Sequence, residues 1–591
     1  MEGSVVSDEV VTFVEIDLDT CIHRFGVGAC TATLSAGTPR KCVNTFRTCA
    51  IPGIDVYTPE VATVILTQQG QSGLPMSGRS FSCLTSVKES EQTVNLAGSD
   101  QKLDALGKRA SVKITAADFV YDARFLDPYF DERISGEAQF SGVGYEPAGT
   151  FWQGLRGRDP YFAGYPIRIN RGRVVDGALV TDRTTHYIAT EFNPSGGSAE
   201  WVGVDVLDLA ANDRAVCPRP SSGQLLEALP IDADTLTLTP TGVGEEYGAS
   251  GYITIGKEII AYAGRTGEVL SGLSRGQLGT EAKEHDAGDA VQEAWRYTGP
   301  AYLALNELLT DFATVPDTWV PLAEWEDEAN VWFSVEVDVI VTKSTMVSKL
   351  IGELAILGFS MFTDLEAQKI RFRANRPMFP NEAVVAPEIT DADIIGEPKY
   401  DGRDSERLTR VEFRSMQIDP TDELSDNNFL RSQLTIAGDK EDPRAHGDVR
   451  YRLEKTRWLN QGASSTIRIL AQRYLRRFST APERVVVRVK RRKYGSLPLT
   501  TVVNLTTRRI PNGWGLIEKA QYQIIKRESP NDGEIDITLQ RFDYSGTFGF
   551  WAPNDAPDYV AATEEQKDVM AFWGPNTGDT FADGRPLYKW S

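Results

Sequence analysis

SSTIRILAQRYLRRF (Ser464–Phe478) is followed by RVVVRVKRRK (Arg484–Lys493), TTVVNLTT (Thr500–Thr507), KAQYQIIKRE (Lys519–Glu528) and EIDITLQRF (Glu534–Phe542). In the first run, Ile467, Leu470, Ala471, Tyr474, Leu475 and Phe478 recur at three- and four-residue steps, the spacing of one helix face, with Ser464 or Ser465 as the cap. The four runs that follow alternate branched aliphatic with polar residues, the two-residue period of half-buried strands. Asn531-Asp532-Gly533 supplies turn chemistry between the last two. A helix feeding a four-stranded meander reads as half the wall of a β-barrel.

The same pattern extends upstream. Val61–Gln68, Arg109–Phe119, the Ile167–Val174 stretch and Tyr187–Leu209 carry strand candidates, and Gln69–Ser77 is turn-rich. From Pro218 a compact β-module begins, with Thr235, Thr237 and Thr239 alternating before YITIGKEIIAYAG (Tyr252–Gly264). Glycine-rich turns at short intervals give it the signature of a small barrel or sandwich. Helices are expected over Ala301–Thr314 and Ser344–Leu357, the second with Ser344 or Thr345 as cap and Gly358 at its end. Lys369–Ala374 (KIRFRA) reads as an alternating strand. The chain is therefore multidomain and mainly β with a few α-helices, an α+β organisation.

The 591 residues imply several domains, and 41% hydrophobic with 25% charged residues is ordinary globular composition. No apolar run approaches the ~18–20 residues of a membrane helix. Met1–Thr20 is acidic and reads as holding a short strand, Glu9–Ile16, rather than a secretion signal. The net charge of −21 argues against a nucleic-acid clamp, which needs a concentrated basic surface. An acidic wall suits a conduit through which DNA slides without sticking, although surplus acid also simply confers solubility. The one dense basic run, Arg488, Lys490, Arg491, Arg492 and Lys493, reads first as a polar strand face and hairpin meeting acidic neighbours, and second as a DNA contact.

Four of six cysteines, Cys21, Cys30, Cys42 and Cys49, lie within the first fifty residues, with gaps of eight, eleven and six. Thiolates gathered in a loop-rich stretch suit a soft metal centre, an iron–sulfur cluster or tetrahedral zinc. Structural zinc usually takes cysteine pairs two to four residues apart, and no such pair exists here, so the cluster ranks ahead of zinc. Disulfides and no metal at all are the remaining readings. Cys83 and Cys217 stand alone and read as ordinary thiols.

No enzyme signature emerges. None of His23, His186, His285 and His446 sits in a metal-protease or nucleophile-elbow context. Carboxylate pairs such as Asp17/Asp19 and Glu324/Glu326 carry little information among 83 acids. RGQLGT (Arg275–Thr280) lacks the Lys-Ser/Thr of a phosphate loop, and His285 with Asp286 and Asp289 reads as a solvated turn before it reads as a cation site.

FGVGACTA (25–32) with KCVNTFRTC (41–49) resembles the cluster-binding part of tail-tip and baseplate hub proteins of long-tailed, siphovirus-like bacteriophages and gene transfer agents. RASVKITAADF (109–119), LDPYFDER (126–133) and GTFWQGLRGRDPYFAGYPIRI (149–169) resemble the first hub domain. EVLSGLSRGQLGTEAKEHDAGDAV (268–291) is similar to a β-module recurring in tail proteins. The two-helix section with KIRFRA, leading into the final helix and meander, is the fourth match. The resemblance implies a non-enzymatic virion protein, made in the host cytoplasm, that forms a homotrimeric ring at the distal tail end. It implies a [4Fe–4S] cluster on Cys21, Cys30, Cys42 and Cys49, zinc being the alternative, and two tube-like barrels per subunit. The implied partners are the distal tail protein ring, the central fibre, tail fibres and the tape measure protein, with genome DNA passing through unbound. By the same analogy the domains are 1–60 (cysteine segment), 61–215 (first barrel), 216–298 (β-module), 299–395 (α+β), 396–550 (second barrel) and 551–591, an arm that orders against a partner. The readings from other classes are a zinc-dependent β-rich adhesin or carbohydrate-binding protein, and a cell-wall hydrolase.

Overall fold

Alternating aliphatic residues from seven strands point into one core and make the first part of the molecule. The computed structural model describes residues 11–31, 42–49, 57–69, 71, 74, 76, 80–96, 106–120, 126–127, 149–378, 385–402, 404–444, 448–460, 464–531, 533–542, 547–548, 550–551, 557–574, 581–585 and 587–589. Two compact units emerge: Met1–Glu91 with Ala110–Val206 and Leu365–Gln368, and Gln92–Arg109 with Leu207–Asp364 and Lys369–Ser591.

In the first unit, β1 (Val11–Cys21), β2 (Pro59–Gln68), β3 (Ser80–Glu89), β4 (Ser111–Ala117), β5 (Pro166–Val175), β6 (Ala178–Ser195) and β7 (Ser198–Val204) form a closed barrel. Its order is β1-β2-β3-β4-β7-β6-β5, returning to β1, and only the β2–β3 pair is parallel. Val14, Ile16 and Leu18 of β1 meet Leu66, Ile114, Ile169 and Trp201 in one buried cluster. Helix α1 (Phe151–Arg158) adds Phe151, Trp152 and Leu155 to that cluster. Each such side chain contributes about 1.5–3 kcal/mol on burial. Thr150 makes no side-chain cap bond at the start of α1. Instead Asp118 Oδ1 accepts from the Trp152 amide at 3.2 Å, and the Trp152 indole donates to the Ala117 carbonyl at 2.9 Å. The helix thus takes its N-terminal partner from the end of β4. The expected strand Glu9–Ile16 begins at Val11 among the described residues and runs on to Cys21, which places the first cysteine at a strand end. Residues 121–125 and 128–148, which hold most of LDPYFDER, lie outside the described residues.

In the second unit, the β-module is two small sheets around one core. Leu225, Leu236, Leu238 and Leu270 of one sheet share a buried cluster with Ile253, Ile255, Ile260 and Val291 of the other. The sandwich alternative is the one adopted. Ile255 pairs with Glu258 across a two-residue turn, and Gly256 takes a φ of 59°, which costs glycine little. The strand Val291–Pro300 also pairs with Glu336–Val341, so the module continues into the following section.

Helix α2 covers Ala301–Glu307 and continues as a π-type turn, Leu308–Phe312, where one uniform helix was expected. Helix α3 (Leu322–Trp332) was not anticipated; its buried Trp325 donates to the Ile370 carbonyl at 2.8 Å. Helix α4 starts at Val347, not Ser344, because Thr345–Met346 pairs as a short strand with Val216–Cys217. Ser344 and Thr345 therefore cap nothing, and the helix ends at Ala355, before the expected Leu357; Gly358, with a φ of 109°, closes the turn that follows rather than the helix itself. Helix α5 (Ser464–Phe478) buries all six residues of its apolar face, and Ser464 and Ser465 lie within it instead of capping it.

The main sheet of this unit contains β8 (Glu388–Thr390), β9 (Lys399–Gly402), β10 (Glu483–Lys490), β11 (Val502–Thr506), β12 (Lys519–Glu528) and β13 (Glu534–Arg541). Its order is β8-β11-β12-β13-β10-β9, with Gln92–Thr93 added beside β12. The meander reading places β10 beside β11; it lies instead against β13, through seven residue pairs. Among the described residues this sheet is an open path and not a closed wall. The described parts of 551–591 carry local order of their own: a Thr563–Gln566 capping box opens helix α6 (Glu564–Val569), and Tyr559 stacks on Phe581 at 3.7 Å. No helix among the described residues is long and apolar enough to cross a membrane.

Candidate functional site

The end of β1 is where the sequence concentrates its chemistry. Cys21 closes that strand opposite Pro59, and the Ile22 amide donates to the Thr58 carbonyl at 3.0 Å. The chain returns at Cys42, and residues 42–49 are fastened back onto β1. Asn44, at a φ of 64°, accepts the Cys21 amide on its Oδ1 at 3.0 Å. Thr48 Oγ1 accepts from the Val43 amide at 3.1 Å and lies 2.8 Å from Thr45 Oγ1, while the Cys49 amide closes a turn onto the Phe46 carbonyl.

Arg158, at the end of α1, is the residue that joins these pieces. Its Nε donates to the Val43 carbonyl at 3.0 Å, and its Nη2 to the carbonyls of Asn44 at 2.9 Å and Asp19 at 3.3 Å. The guanidinium is buried, and five donors in a planar fork suit several carbonyls at once. Nothing in GTFWQGLRGRDPYF singles Arg158 out. Its only sequence signal is a basic residue in a helix's last turn. Tyr57, which donates to the Thr20 carbonyl, has its phenol pushed up to about 12, by burial first and then by Asp19 and Cys21.

Cys30 and Cys42 are buried, and Cys21 and Cys49 half-buried. The structure brings the Cys21 and Cys42–Cys49 segments together through Asn44 and Arg158. Among the described residues no three His, Cys, Asp or Glu side chains form a group able to hold a metal ion. Four thiols are chemically the right donor set for a soft metal. Residues 32–41, between Cys30 and Cys42, lie outside the described residues.

Elsewhere the motifs have structural answers. Cys83 is buried in the barrel, and burial first, then Asp118, pushes its thiol up to about 12. Cys217 is buried likewise and its thiol is raised by burial. RGQLGT and HDAGD are both tied to Glu258, whose side chain is 1% exposed. Glu258 accepts from Arg275 Nε at 2.8 Å and Nη2 at 2.9 Å, and from the Gly276 and Lys283 amides at 3.0 Å each. His285 Nε2 lies 2.8 Å from the same carboxylate. Burial alone would raise Glu258, but Arg275, the two amides and His285 outweigh it and bring its carboxyl down to about 2. Asp286 and Asp289 form a turn, the Asp286 amide donating to Asp289 Oδ2 at 3.1 Å. In the basic run, Arg488 forks onto Asp536 at 2.6 and 2.8 Å, Lys493 pairs with Asp393 at 2.6 Å, and Arg491 is buried. The run leaves β10 as a one-turn helix, Arg491–Tyr494, with Arg488 and Lys493 paired to acids.

No family model and no curated protein matches the chain. Among solved structures it is similar to prophage tail protein gp18 from Listeria monocytogenes EGD-e, at 9% identity, covering 65% of this chain and 87% of that one, TM-score 0.29. It is also similar to the prophage MuSo2 43 kDa tail protein from Shewanella oneidensis, at 8% identity over 78% and 96%, TM-score 0.33. A third is a tail protein from Neisseria meningitidis MC58, at 10% identity over 77% and 97%, TM-score 0.32.

Proposed function

We propose that this chain is a structural component of a bacteriophage tail, a trimeric baseplate hub at the distal end that closes the channel, anchors fibre proteins and lets DNA pass on ejection. The observation that carries the reading is the closed seven-stranded barrel with a cysteine-bearing loop fastened to its first strand. That is the juxtaposition the cysteine segment and the first-hub segments imply when they occur in one chain. The charge pattern supports it: a net −21, with Arg488 and Lys493 of the one basic run paired to Asp536 and Asp393, suits a surface that DNA passes without adhering. A ring of this kind needs obligate interfaces above ~2,000 Å².

The four cysteines have a proposed role within this reading. Cys21, Cys30, Cys42 and Cys49 would hold a [4Fe–4S] cluster, or zinc, as a staple for a segment with little core of its own. The chain's own contribution is visible: Asn44 and Arg158 hold the Cys42–Cys49 loop against β1 without using a thiol.

The test is to label the chain in intact particles and image them by electron microscopy, with solution mass measured on the purified protein. Label at the distal tail tip and a mass near three chains is the expected result. Absence from tails, or activity on peptidoglycan in a zymogram, would contradict it.

A further inference from the structure

The main sheet of the second unit carries a cleft of about 430 Å³, within the ~300–1,000 Å³ usual for small-molecule sites. Tyr522 of β12 and Arg541 of β13 line it, with Glu483 of β10 and Tyr400 of β9. The β11–β12 loop adds Asn512 and Glu518. We propose that this cleft binds a saccharide, with a pyranose ring stacked on Trp514 and its hydroxyls on the two carboxylates.

Three observations converge. First, the carboxylates are held in place by the protein: the Tyr522 hydroxyl donates to Glu483 Oε1, and Arg541 Nη2 donates to Glu518 Oε1 at 2.9 Å. The guanidinium also lies over the Tyr522 ring at 5.8 Å. A carboxylate accepts at about four lone-pair sites, so each keeps capacity for vicinal hydroxyls. Second, Trp514 follows the cleft-lining Asn512 and Gly513 in the chain and is 87% exposed, so an indole is available to a ligand at this loop. Third, that loop is braced. Asn512 Oδ1 accepts from the Trp514 and Leu516 amides at 3.0 Å each, and the Asn512 amide donates to the Leu516 carbonyl at 2.9 Å. The indole is thus presented by a preorganised turn, which lowers the entropy lost on binding.

The polar lining disfavours an apolar ligand, and two carboxylates against one guanidinium disfavour a phosphate. A neutral polyol satisfies both donors and acceptors, and hydroxyl-reading sites discriminate strongly against analogues that lack the group. The inference is independent of the tail assignment.

The test is saturation-transfer NMR on the full chain with neutral methyl glycosides of hexoses and N-acetylhexosamines, and with n-butylammonium as a cationic probe. At least one glycoside should bind, and Trp514→Ala and Glu518→Gln should each weaken it about tenfold or more, equivalent to about 1.4 kcal/mol. Trp514→Ala removes an exposed side chain and should leave the unfolding midpoint unchanged, so it decides the matter even if Glu518→Gln disturbs folding. No glycoside binding at millimolar concentration would overturn the proposal. So would binding indifferent to Trp514→Ala, butylammonium binding alone, or a changed assembly mass in Trp514→Ala without loss of glycoside.

Discussion

The cysteine loop of the first unit and the glycine loops around Glu258 in the second are both motif-rich, polar and short of aliphatic residues, yet they are held differently. Around Glu258 the chain supplies both sides of the interaction: one buried carboxylate meets a guanidinium, two amides and an imidazole. At the cysteine loop Arg158 and Asn44 fasten the chain through backbone groups. A saturated centre is scaffold. The cysteine loop is fastened through backbone groups that do not depend on a buried ion pair.

The contrast can be broken at several points, the largest effect first. Glu258→Gln leaves the Arg275 guanidinium buried with a neutral partner, and loss of one member of a buried pair costs about 3–5 kcal/mol. Calorimetry should show the second unit unfolding earlier, with the first unit's transition unmoved. Arg158→Ala strips donors from the carbonyls of Asp19, Val43 and Asn44, at about 1–3 kcal/mol for a buried acceptor left unpaired. Amide exchange should rise across residues 42–49 while β4 and β7 stay protected, and Arg158→Lys should not restore it, because an ammonium lacks the fork.

Acid sharpens the comparison. The Glu258 carboxyl is lowered from 4.5 to about 2 on folding, so between those values the unfolded chain binds the extra proton. Its contribution is therefore complete above about pH 4.5 and lost as pH falls toward 2. Acid titration should destabilise the module in that window, and Glu258→Gln should flatten the response. The smallest effect belongs to Arg488→Ala: its pairing with Asp536 is solvent-screened, so neither the unfolding midpoint nor salt-dependent retention on DNA should change.

Legibility in the sequence followed the range of each interaction. The apolar face of α5 was readable residue by residue because a 3.6-residue period is local, and Lys369–Ala374 and Lys519–Glu528 were readable from alternation. The position of β10 beside β13 was not, since strand order depends on pairings 44 to 56 residues apart that leave no local trace. The start of α4 departs from the local capping signal because Thr345–Met346 gains a strand partner more than a hundred residues away, which overrides that preference. The four cysteines were plain as a cluster in sequence. Arg158 and Glu258 were not, because one arginine or one glutamate among 62 basic and 83 acidic residues shows its role only through what folding sets against it.

The most direct measurement is iron and acid-labile sulfide per chain in anaerobically purified protein, alongside Cys21→Ser. About four of each per chain, falling to near zero in Cys21→Ser with an intact barrel transition and a protease-sensitive segment before β2, is the result expected. A colourless, iron-free wild-type protein whose cysteine segment is as protease-resistant as the barrel would contradict the claim that these thiols are kept for a metal centre.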